Sequence, residues 1–419
     1  MSHPVITYYQ HNSRFTEIFA TLLPHLTDVN LIKLDCMISL PIIDSMEKIL
    51  NCAAIETALT KRGMTRKDLA QAVGTSSQAV TNWLKGQDFP RPPKLLKLAT
   101  TLKLTFEQLV QASSAGKPVI AYRKKAGTKT TPAHIAKAEG IGQLLKPLVS
   151  YLPELQALRT LITTPSCDYP KLQTVVSQTR DRLGIGGQAV LSYENLIGEF
   201  KNCGAILVPV LWGNKGNHEN ALHIRLPLED VTFIFLNLDT RLEDFKFWMA
   251  HELAHVLTPE LSGTNDGEDF ADAFAGALLY PKACVEQTYR LSSQQTTSEA
   301  AIRILEEQAA RHMISLNTVF QQVQSYAKAN QLPTLAIPEA TIHIRRSVCR
   351  GDLVSEALFD PLPPPPRRYI AACENTFQTS FFHALKRMII ESGTGAPYVQ
   401  QILDMPLKDA VGLYEELRD

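Results

Sequence analysis

The sequence predicts a mostly α-helical, multi-domain protein with a small α+β core, and three observations support this fold class. The chain has 419 residues with 45% hydrophobic content, which is enough for two to four domains with their own cores. Apolar residues recur at helical spacing over most of the chain, whereas strand-like apolar runs fall between residues 205 and 236. Glycine, proline and lysine concentrate in short stretches between the helical blocks.

The charge and cysteine content narrow the range of partners. Lysine plus arginine number 42 and aspartate plus glutamate also number 42, so any attraction to nucleic acid must be local. The seven cysteines include no Cys-x-x-Cys pair, which excludes a thiolate zinc knuckle and fits a reducing compartment. The N-terminus lacks a signal-peptide pattern and no apolar run approaches membrane length, so we expect a cytoplasmic protein with no membrane partner.

The alternation of helical, strand-like and basic stretches divides the chain into six predicted segments. Residues 205–210, 221–225 and 231–236 are predicted strands of one short sheet. Between Gly116 and Lys137 there are six basic residues, no acidic ones and several helix breakers, which is typical of a linker. The predicted segments are an N-terminal extension (1–46), an all-helical bundle (47–115), a basic linker (116–137), a domain of helices around the sheet (138–290), a helical region (291–360), and a proline-rich spacer with C-terminal helices (361–419).

Two short helices of the bundle are joined by a glycine turn, which is the spacing of a helix-turn-helix. Thr65 is the predicted N-cap of the first helix, with Asp68 at its third position, and Gly74 lies in the turn. The second helix is predicted from about Ser76 to Leu84. Polar and basic side chains of both helices are able to contact bases and phosphates. The predicted DNA contacts are Arg66, Lys67, Ser76, Ser77, Gln78, Thr81, Asn82 and Lys85.

The same stretch carries a local excess of positive charge. Nine basic and three acidic residues lie between Glu56 and Lys103, which supplies an attraction to phosphate that the whole chain lacks. Ala79, Val80 and Leu84 are the residues of the second helix expected to pack inward.

A resemblance to a known family covers this bundle. The run LTKRGMTRKDLAQAVGTSSQAVTNWLKGQDFPRPPKLLKLATTLKL resembles the Xre-type, lambda-repressor-like helix-turn-helix domain. The resemblance implies double-stranded DNA as a partner. The alternative is a bundle used only for protein contacts, such as a dimerisation or antitoxin-like module.

The pentapeptide HELAH at residues 251–255 has metal-ligand spacing in a helix predicted from about 242 to 257. Residues four apart share a helix face, so His251 and His255 can direct their imidazoles at one metal ion. Glu252 lies about 100° round the helix and can act as a general base toward water. The alternative is a core helix with two hydrogen-bonded histidines.

A second predicted helix, from Glu268 to about Tyr280, supplies candidates for the third ligand that a catalytic zinc requires. Glu268 and Asp272 are four apart on one face with small alanines. We assign Glu268 as the third ligand and Asp272 as the acceptor that orients a histidine N–H. Asp266, Asp269 and Asp272 remain alternative third ligands.

Several further side chains are expected near the motif. Asp239 or Thr240 is the expected cap of the first helix. Phe247 and Trp248 lie one turn before the histidines, and their side chains are expected to line one side of the site.

His223 and Tyr280 are candidates for stabilising the charge that develops in a transition state. For His223, as for His218, the alternative is a polar group on the protein surface.

The stretch from about residue 175 to 281 resembles the ImmA/IrrE family of metallopeptidases. The matching motifs are RDRLGIGGQAV, IFLNLD, FKFWMAHELAHVL and EDFADAFAGALLYP, with Tyr280 and Ala254 as departures from the family pattern. The resemblance implies a gluzincin-like site of two histidines and one glutamate. Such a site suits zinc, and manganese can also occupy it.

The resemblance also implies a protein substrate, a repressor or other regulator, and a homodimer is compatible with it. The alternative function is a transcriptional regulator or antitoxin-like protein in which the metallopeptidase fold is a sensor.

Two features are predicted beyond this stretch. HMISLNTVFQQVQSYAKAN resembles a degenerate second helix-turn-helix, which is expected to pack against the core because it lacks a basic surface. The proline run PLPPPP at 361–366 is expected to be a stiff spacer before the final helices.

Overall fold

A computed structural model of the protein describes residues 48–85, 87–112, 117–121, 132–154, 161–213, 221–348 and 351–419. The chain forms two compact units, which divide between residues 113 and 114. The predicted N-terminal extension (1–46) and His218 lie outside the described residues. In the part of the chain that is described, the fold is mostly helical, with a four-stranded sheet in the second unit.

Within the described residues 48–85 and 87–112, the first unit is a bundle of five helices closed by two short strands. Strand β1 (Lys48–Leu50) pairs antiparallel with β2 (Val110–Ala112), so the expectation of an all-helical bundle is wrong. The two ends of the bundle are extended and their backbone groups pair with each other. The helices are α1 (Cys52–Arg62), α2 (Arg66–Val73), α3 (Ser77–Leu84), α4 (Pro92–Leu102) and α5 (Phe106–Leu109).

Helices α2 and α3 form the predicted helix-turn-helix. Thr65 caps α2 in a reciprocal capping box with Asp68, which confirms the predicted start of this helix. Gly74 ends α2 with φ of 73°, a conformation that favours glycine. Ser76 is the N-cap of α3 and its side chain accepts a hydrogen bond from the Ala79 backbone.

The core of the first unit includes a residue that the sequence analysis did not select. Trp83 is 6% exposed and packs with Val80 in the apolar cluster, whereas the predicted Ala79 and Leu84 are only partly buried there. The inward face of α3 is therefore set by Val80 and Trp83, three residues apart.

The second unit is built around four strands in the order β3-β5-β6-β4. Strands β4 and β6 are parallel, and the other two pairings are antiparallel. His223 lies opposite Ala121 on one neighbour and Ile234 on the other. The strands are β3 (Val119–Ala121), β4 (Ala205–Val210), β5 (Ala221–Leu226) and β6 (Val231–Asn237).

The predicted basic linker is only partly a linker. Strand β3 lies within it and completes one edge of the sheet, and helix α6 (Pro132–Val149) begins before residue 137. Three apolar residues, 119–121, are enough to pair with β5. Pro132 starts α6 instead of breaking it, because the first position of a helix needs no backbone N–H.

Helices cover the sheet. Those from Tyr169 to Leu279 are α7 (Tyr169–Arg182), α8 (Tyr193–Asn202), α9 (Leu242–Leu257) and α10 (Asn265–Leu279). Those that follow are α11 (Lys282–Ser293), α12 (Ser298–His312), α13 (Leu316–Ala329), α14 (Glu339–Val348), α15 (Val354–Leu358), α16 (Pro366–Phe377), α17 (Phe381–Ser392), α18 (Ala396–Leu403) and α19 (Leu407–Arg418). Helix α9 packs on β5 and β6 and against α10. Helix α12 packs on α11, and α13 packs on α10 and α11, so this segment packs against the core as predicted. No helix of the described residues is long and apolar enough to span a membrane.

The segment after the proline run is not separated from the core. Apolar residues of helices α16 to α19 belong to the same buried cluster as the sheet. Tyr369 donates a hydrogen bond to the Pro209 carbonyl, Thr379 to the Leu207 carbonyl, and the Trp212 indole N–H donates to Leu403 at 2.9 Å. The helices that follow the predicted spacer at 361–366 therefore belong to the core of the second unit. Strand β4 is an edge strand whose backbone groups need partners, and these helices cover it.

Candidate metal centre

Helix α9 begins without the predicted side-chain cap. Its N-cap is Arg241, which makes no side-chain capping bond. Asp239 instead accepts hydrogen bonds from the Gly213 backbone N–H at 2.6 Å and from the Ser355 hydroxyl at 2.7 Å. Glu243 and Asp244 in the first turn place negative charge at the positive end of the helix dipole, which favours the same start.

The two histidines of HELAH lie on one face of α9, as their spacing predicts. His251 and His255 are each 1% exposed, and their Nε2 atoms are 3.3 Å apart. Glu252 is also buried, at 4% exposed. The Trp248 ring contacts His251 edge-on with centroids 5.6 Å apart, so Trp248 forms part of the wall of the site.

Glu268 is brought to the histidines by the first turn of α10. Its Oε2 lies 3.5 Å from His251 Nε2 and its Oε1 lies 3.3 Å from His255 Nε2. Among the alternative third ligands, Asp266 and Asp269 are exposed, and Asp272 contacts the other nitrogen of His251. The structure thus brings together His251, His255 and Glu268.

A glycine that the sequence analysis did not select permits this approach. A Cβ atom at Gly267 would lie 2.1 Å from the Leu261 carbonyl oxygen, so only glycine fits where the loop after α9 turns into α10. Thr264 caps α10 by accepting a hydrogen bond from the Gly267 backbone at 3.0 Å. The signal in the sequence was a glycine directly before the candidate ligand Glu268.

The separations between the three donor groups fit a tetrahedral ion. Ligand bonds of about 2.0–2.1 Å to a tetrahedral zinc ion place neighbouring donor atoms about 3.3–3.4 Å apart. The separations within this group are 3.3, 3.3 and 3.5 Å. One buried His-His-Glu group can therefore hold a metal ion.

Asp272 determines which nitrogen of His251 is available. His251 Nδ1 lies 2.9 Å from Asp272 Oδ1, so the Nδ1 hydrogen is donated to the carboxylate. Nε2 is then the nitrogen of His251 that faces His255 Nε2 and Glu268. Three electron-rich groups converge on one point, which is the arrangement that a cation stabilises.

The electrostatics of the group also favour positive charge. Burial alone lowers the pKa of His251, but its contacts with Asp272 and Glu268 outweigh burial and raise that pKa to about 9. Burial raises the pKa of Glu268, yet its contacts with His251 and His255 prevail and lower it to about 2. Burial raises the pKa of Glu252, and the neighbouring imidazoles offset part of that effect.

His223 belongs to the site, and its interpretation as a surface polar group is wrong. It is 1% exposed on β5, and its ring lies 5.6 Å from that of His255. Its Nδ1 is 3.5 Å from Glu252 Oε2. Burial lowers the pKa of His223 to about 3, so the ring is neutral. Strand β5 lies between β3 and β6. The pattern of polar and apolar residues along β5 does not by itself show that it has a neighbour on each side.

Tyr280 lies at the opposite end of α10 from Glu268, a position that does not favour the predicted role in the transition state. It follows Glu268 by twelve residues, or about 18 Å along a helix axis. Its hydroxyl pairs with the Thr288 hydroxyl at 2.5 Å, and its ring packs edge-on against His312. Tyr280 ends α10 as the C-cap and is a core residue.

The predicted DNA contacts on α3 are mostly exposed. Ser77, Gln78 and Lys85 are exposed, and Thr81 and Asn82 are half-buried. The Gln78 amide donates to the Asn82 side chain at 2.9 Å, so the two amides form one polar pair on the helix surface.

Other predicted contacts have intramolecular roles. Arg66 forms an ion pair with Glu56 at 2.8 Å, and both side chains are exposed. The Ser76 hydroxyl caps α3, and the Thr81 hydroxyl donates to the Ser77 carbonyl. Lys67 is exposed on the first turn of α2.

Comparison with known proteins agrees with the geometry of the first unit. No curated protein matches the chain at a significant level. Residues 55–109 match the family model HTH_3, described as helix-turn-helix. The matched residues contain α2, the turn at Gly74 and α3. The chain therefore contains a helix-turn-helix domain, which supports binding to double-stranded DNA.

Proposed function

We propose that the second unit is a metal-dependent endopeptidase. The observation that carries the proposal is the convergence of His251, His255 and Glu268 within bonding reach of one ion, with Glu252 buried beside them. A purely structural metal site would have no need of a buried carboxylate next to three ligands.

The residues of this chain have distinct parts in the proposed reaction. Zinc bound by the three ligands would supply Lewis acidity to water and to a peptide carbonyl. Glu252 accepts the proton of the attacking water and then delivers it to the leaving amine nitrogen. Asp272 keeps His251 in the tautomer that leaves Nε2 unprotonated. A His2Glu set suits zinc, and manganese is the second candidate.

The resemblance of residues 175–281 to the ImmA/IrrE family supports a gluzincin-like peptidase. It also supports a substrate class, a repressor or other regulatory protein. The helix-turn-helix domain would place the enzyme on DNA beside such a substrate. For the DNA contacts we propose the exposed face of α3 with Arg66 and Lys67 of α2.

The test uses the full chain loaded with zinc or manganese. The wild-type protein and Glu252→Gln are compared for metal content by native mass spectrometry. Both are then compared for cleavage of a library of internally quenched peptides. We expect one metal ion in both proteins and cleavage by the wild type alone, because glutamine cannot accept the proton.

Each other outcome contradicts the proposal in a defined way. Equal cleavage by Glu252→Gln would show that Glu252 is not the base. One bound metal ion without cleavage by either protein would favour the sensor function. If the wild type binds no metal and His255→Ala has the same metal content, these residues do not form a metal site.

A further inference from the structure

His223 is a buried polar side chain that Glu252 faces directly. Its Nδ1 lies 3.5 Å from Glu252 Oε2, and both side chains are at most 5% exposed. Neither ring nitrogen of His223 makes a hydrogen bond within the described residues, and neither does Glu252 Oε2. Leaving such groups unpaired in a protein interior is unfavourable, so an unformed pair here needs an explanation.

The two groups are close to a hydrogen bond but have not formed one. A bond between a ring N–H and a carboxylate measures about 2.7–3.2 Å, which is shorter than the separation here. Hydrogen bonds at catalytic sites are commonly long before substrate binds and shorten in the working complex. Strand β5 holds His223 between β3 and β6, so the backbone at this position is fixed on both sides.

The direction of the ring limits what His223 can do. A neutral imidazole carries one N–H, so only one of its nitrogens can donate. If Nδ1 donates to Glu252, Nε2 is an acceptor and cannot stabilise an oxyanion, which requires a donor. Nδ1 is the nitrogen that faces Glu252.

We propose that His223 is a positioning residue that donates its Nδ1 hydrogen to Glu252 Oε2 and holds this carboxylate in the orientation for proton transfer. This role replaces the predicted stabilisation of a transition state, and it rests on the proposed peptidase function. His223 then acts on the reaction only through Glu252.

The direct test reads the tautomer of His223 in the full chain, with and without zinc. Two-bond ¹H–¹⁵N correlation spectra of the ¹⁵N-histidine-labelled protein distinguish the two neutral tautomers. The His223 signals are assigned by their loss in either His223→Asn or His223→Gln. We expect the Nδ1–H tautomer in the wild type. In Glu252→Ala the acceptor is gone, and we expect the Nε2–H tautomer that free histidine prefers.

An Nε2–H tautomer in the wild type would overturn the proposal, as would an unchanged tautomer in Glu252→Ala. The measurement needs neither bound metal nor a substrate. A failure of the proposed peptidase function is therefore distinguishable from a failure of this inference.

A second test compares two amides at position 223. Asparagine places an N–H close to the position of the histidine Nδ1, whereas glutamine places one close to Nε2. We expect His223→Gln to lower kcat about 10- to 100-fold with little change in KM, as for other residues that orient a catalytic group. His223→Asn should retain kcat within a few-fold of the wild type, with metal content unchanged in both variants.

The matched control is His312→Gln, the same change at a buried histidine outside the metal centre. It should leave kcat unchanged. Equal losses of kcat in His223→Asn and His223→Gln would overturn the assignment to Nδ1.

Discussion

At the scale of single residues, Asp272 orients a proposed metal ligand without being one itself. Its bond to His251 Nδ1 fixes the ring and leaves Nε2 directed at His255 and Glu268. The Asp272 side chain is 42% exposed, so its contribution is orientation more than charge. A metal ligand with a fixed orientation loses less entropy when the ion binds.

Asp272→Ala should therefore weaken metal binding by about 10- to 100-fold without unfolding the protein. Competition with a chromophoric chelator measures the affinity. Asp269→Ala, at an exposed position on the same helix, is the control and should leave the affinity unchanged. Similar losses in both variants would show that Asp272 acts only through its net charge.

His312 is predicted to make the protein sensitive to acid. Burial lowers its pKa to about 4, below the ordinary value of 6.5. Between these two values the unfolded chain binds more protons than the folded one, so the free energy of unfolding falls as the pH falls. The decrease in the free energy of unfolding that His312 causes should reach about 2 kcal/mol by pH 5.

The substitution His312→Gln removes the titrating group. Between pH 7 and pH 5 the free energy of unfolding of this variant should therefore fall by about 2 kcal/mol less than that of the wild type. Urea unfolding of both proteins at each pH measures this difference. Identical losses would mean that His312 titrates normally in the folded protein.

At the scale of elements, the C-terminal helices complete the second unit. Phe381 of α17 is fully buried and packs edge-on against Phe233 of β6, with ring centroids 6.5 Å apart. Together with the hydrogen bonds from Tyr369 and Thr379 to β4, this contact joins residues far apart in the sequence. The sheet that supports the metal centre is thus covered by the last 54 or so residues of the chain.

Phe381→Ala should destabilise the second unit by about 3–5 kcal/mol, since it removes a buried ring and leaves a cavity. Ile390→Ala on the same helix, at a position that is 58% exposed, should change the stability by about 0.5 kcal/mol or less. Thermal and chemical denaturation measure both effects. A small loss of stability in Phe381→Ala would mean that these helices are not part of the core of the second unit.

Helix α3 should divide its DNA contacts between bases and phosphates. Lys85, exposed at the end of α3, should contact phosphate, so Lys85→Gln should weaken binding to all duplexes and lower the salt slope by about 1. Asn82→Ala should cost about 1–3 kcal/mol on the preferred duplex only. Shift assays over a range of salt, with a duplex selected by the wild type from a random pool, measure both. The assignment fails if the two variants behave alike.

At the scale of the whole molecule, the excess of positive charge and the proposed metal ligands lie in different units. The excess of basic residues lies between Glu56 and Lys103 in the first unit, although the chain as a whole has zero formal net charge. The three proposed metal ligands all lie in the second unit. Each unit has its own buried core, so each can respond separately to salt or to metal.

Metal removal should accordingly change the stability of one unit. Metal at about 1,000 times its dissociation constant adds about 4 kcal/mol to the stability of the unit that binds it. Calorimetry of the full chain should show two transitions, and a chelator should lower only the transition that His255→Ala also lowers. Equal shifts of both transitions would mean that the two units unfold together.

Local patterns in the sequence predicted the features that depend on near neighbours. The capping box at Thr65, the glycine turn at Gly74 and the bounds of α9 follow from residues within a few positions of one another. The shared face of His251 and His255 follows from the helical period alone. The match to the helix-turn-helix family covers the stretch in which these local signals are densest.

Features that depend on distant parts of the chain were missed or misread. Residues 119–121 join the sheet only because β5 offers an edge, and the helices after residue 366 are held by β4. His223 is buried beside Glu252 and Tyr280 is buried at the other end of α10, since burial of a polar side chain depends on which strands and helices surround it.

The sequence by itself determined that this protein has a helix-turn-helix and a pair of histidines four residues apart on a helix. Both depend on short-range backbone geometry, which a few neighbouring residues specify. Only the tertiary structure decided that Glu268 meets those histidines and that His223 faces Glu252. Those contacts arise where separate helices and strands pack, and packing is set by the whole core.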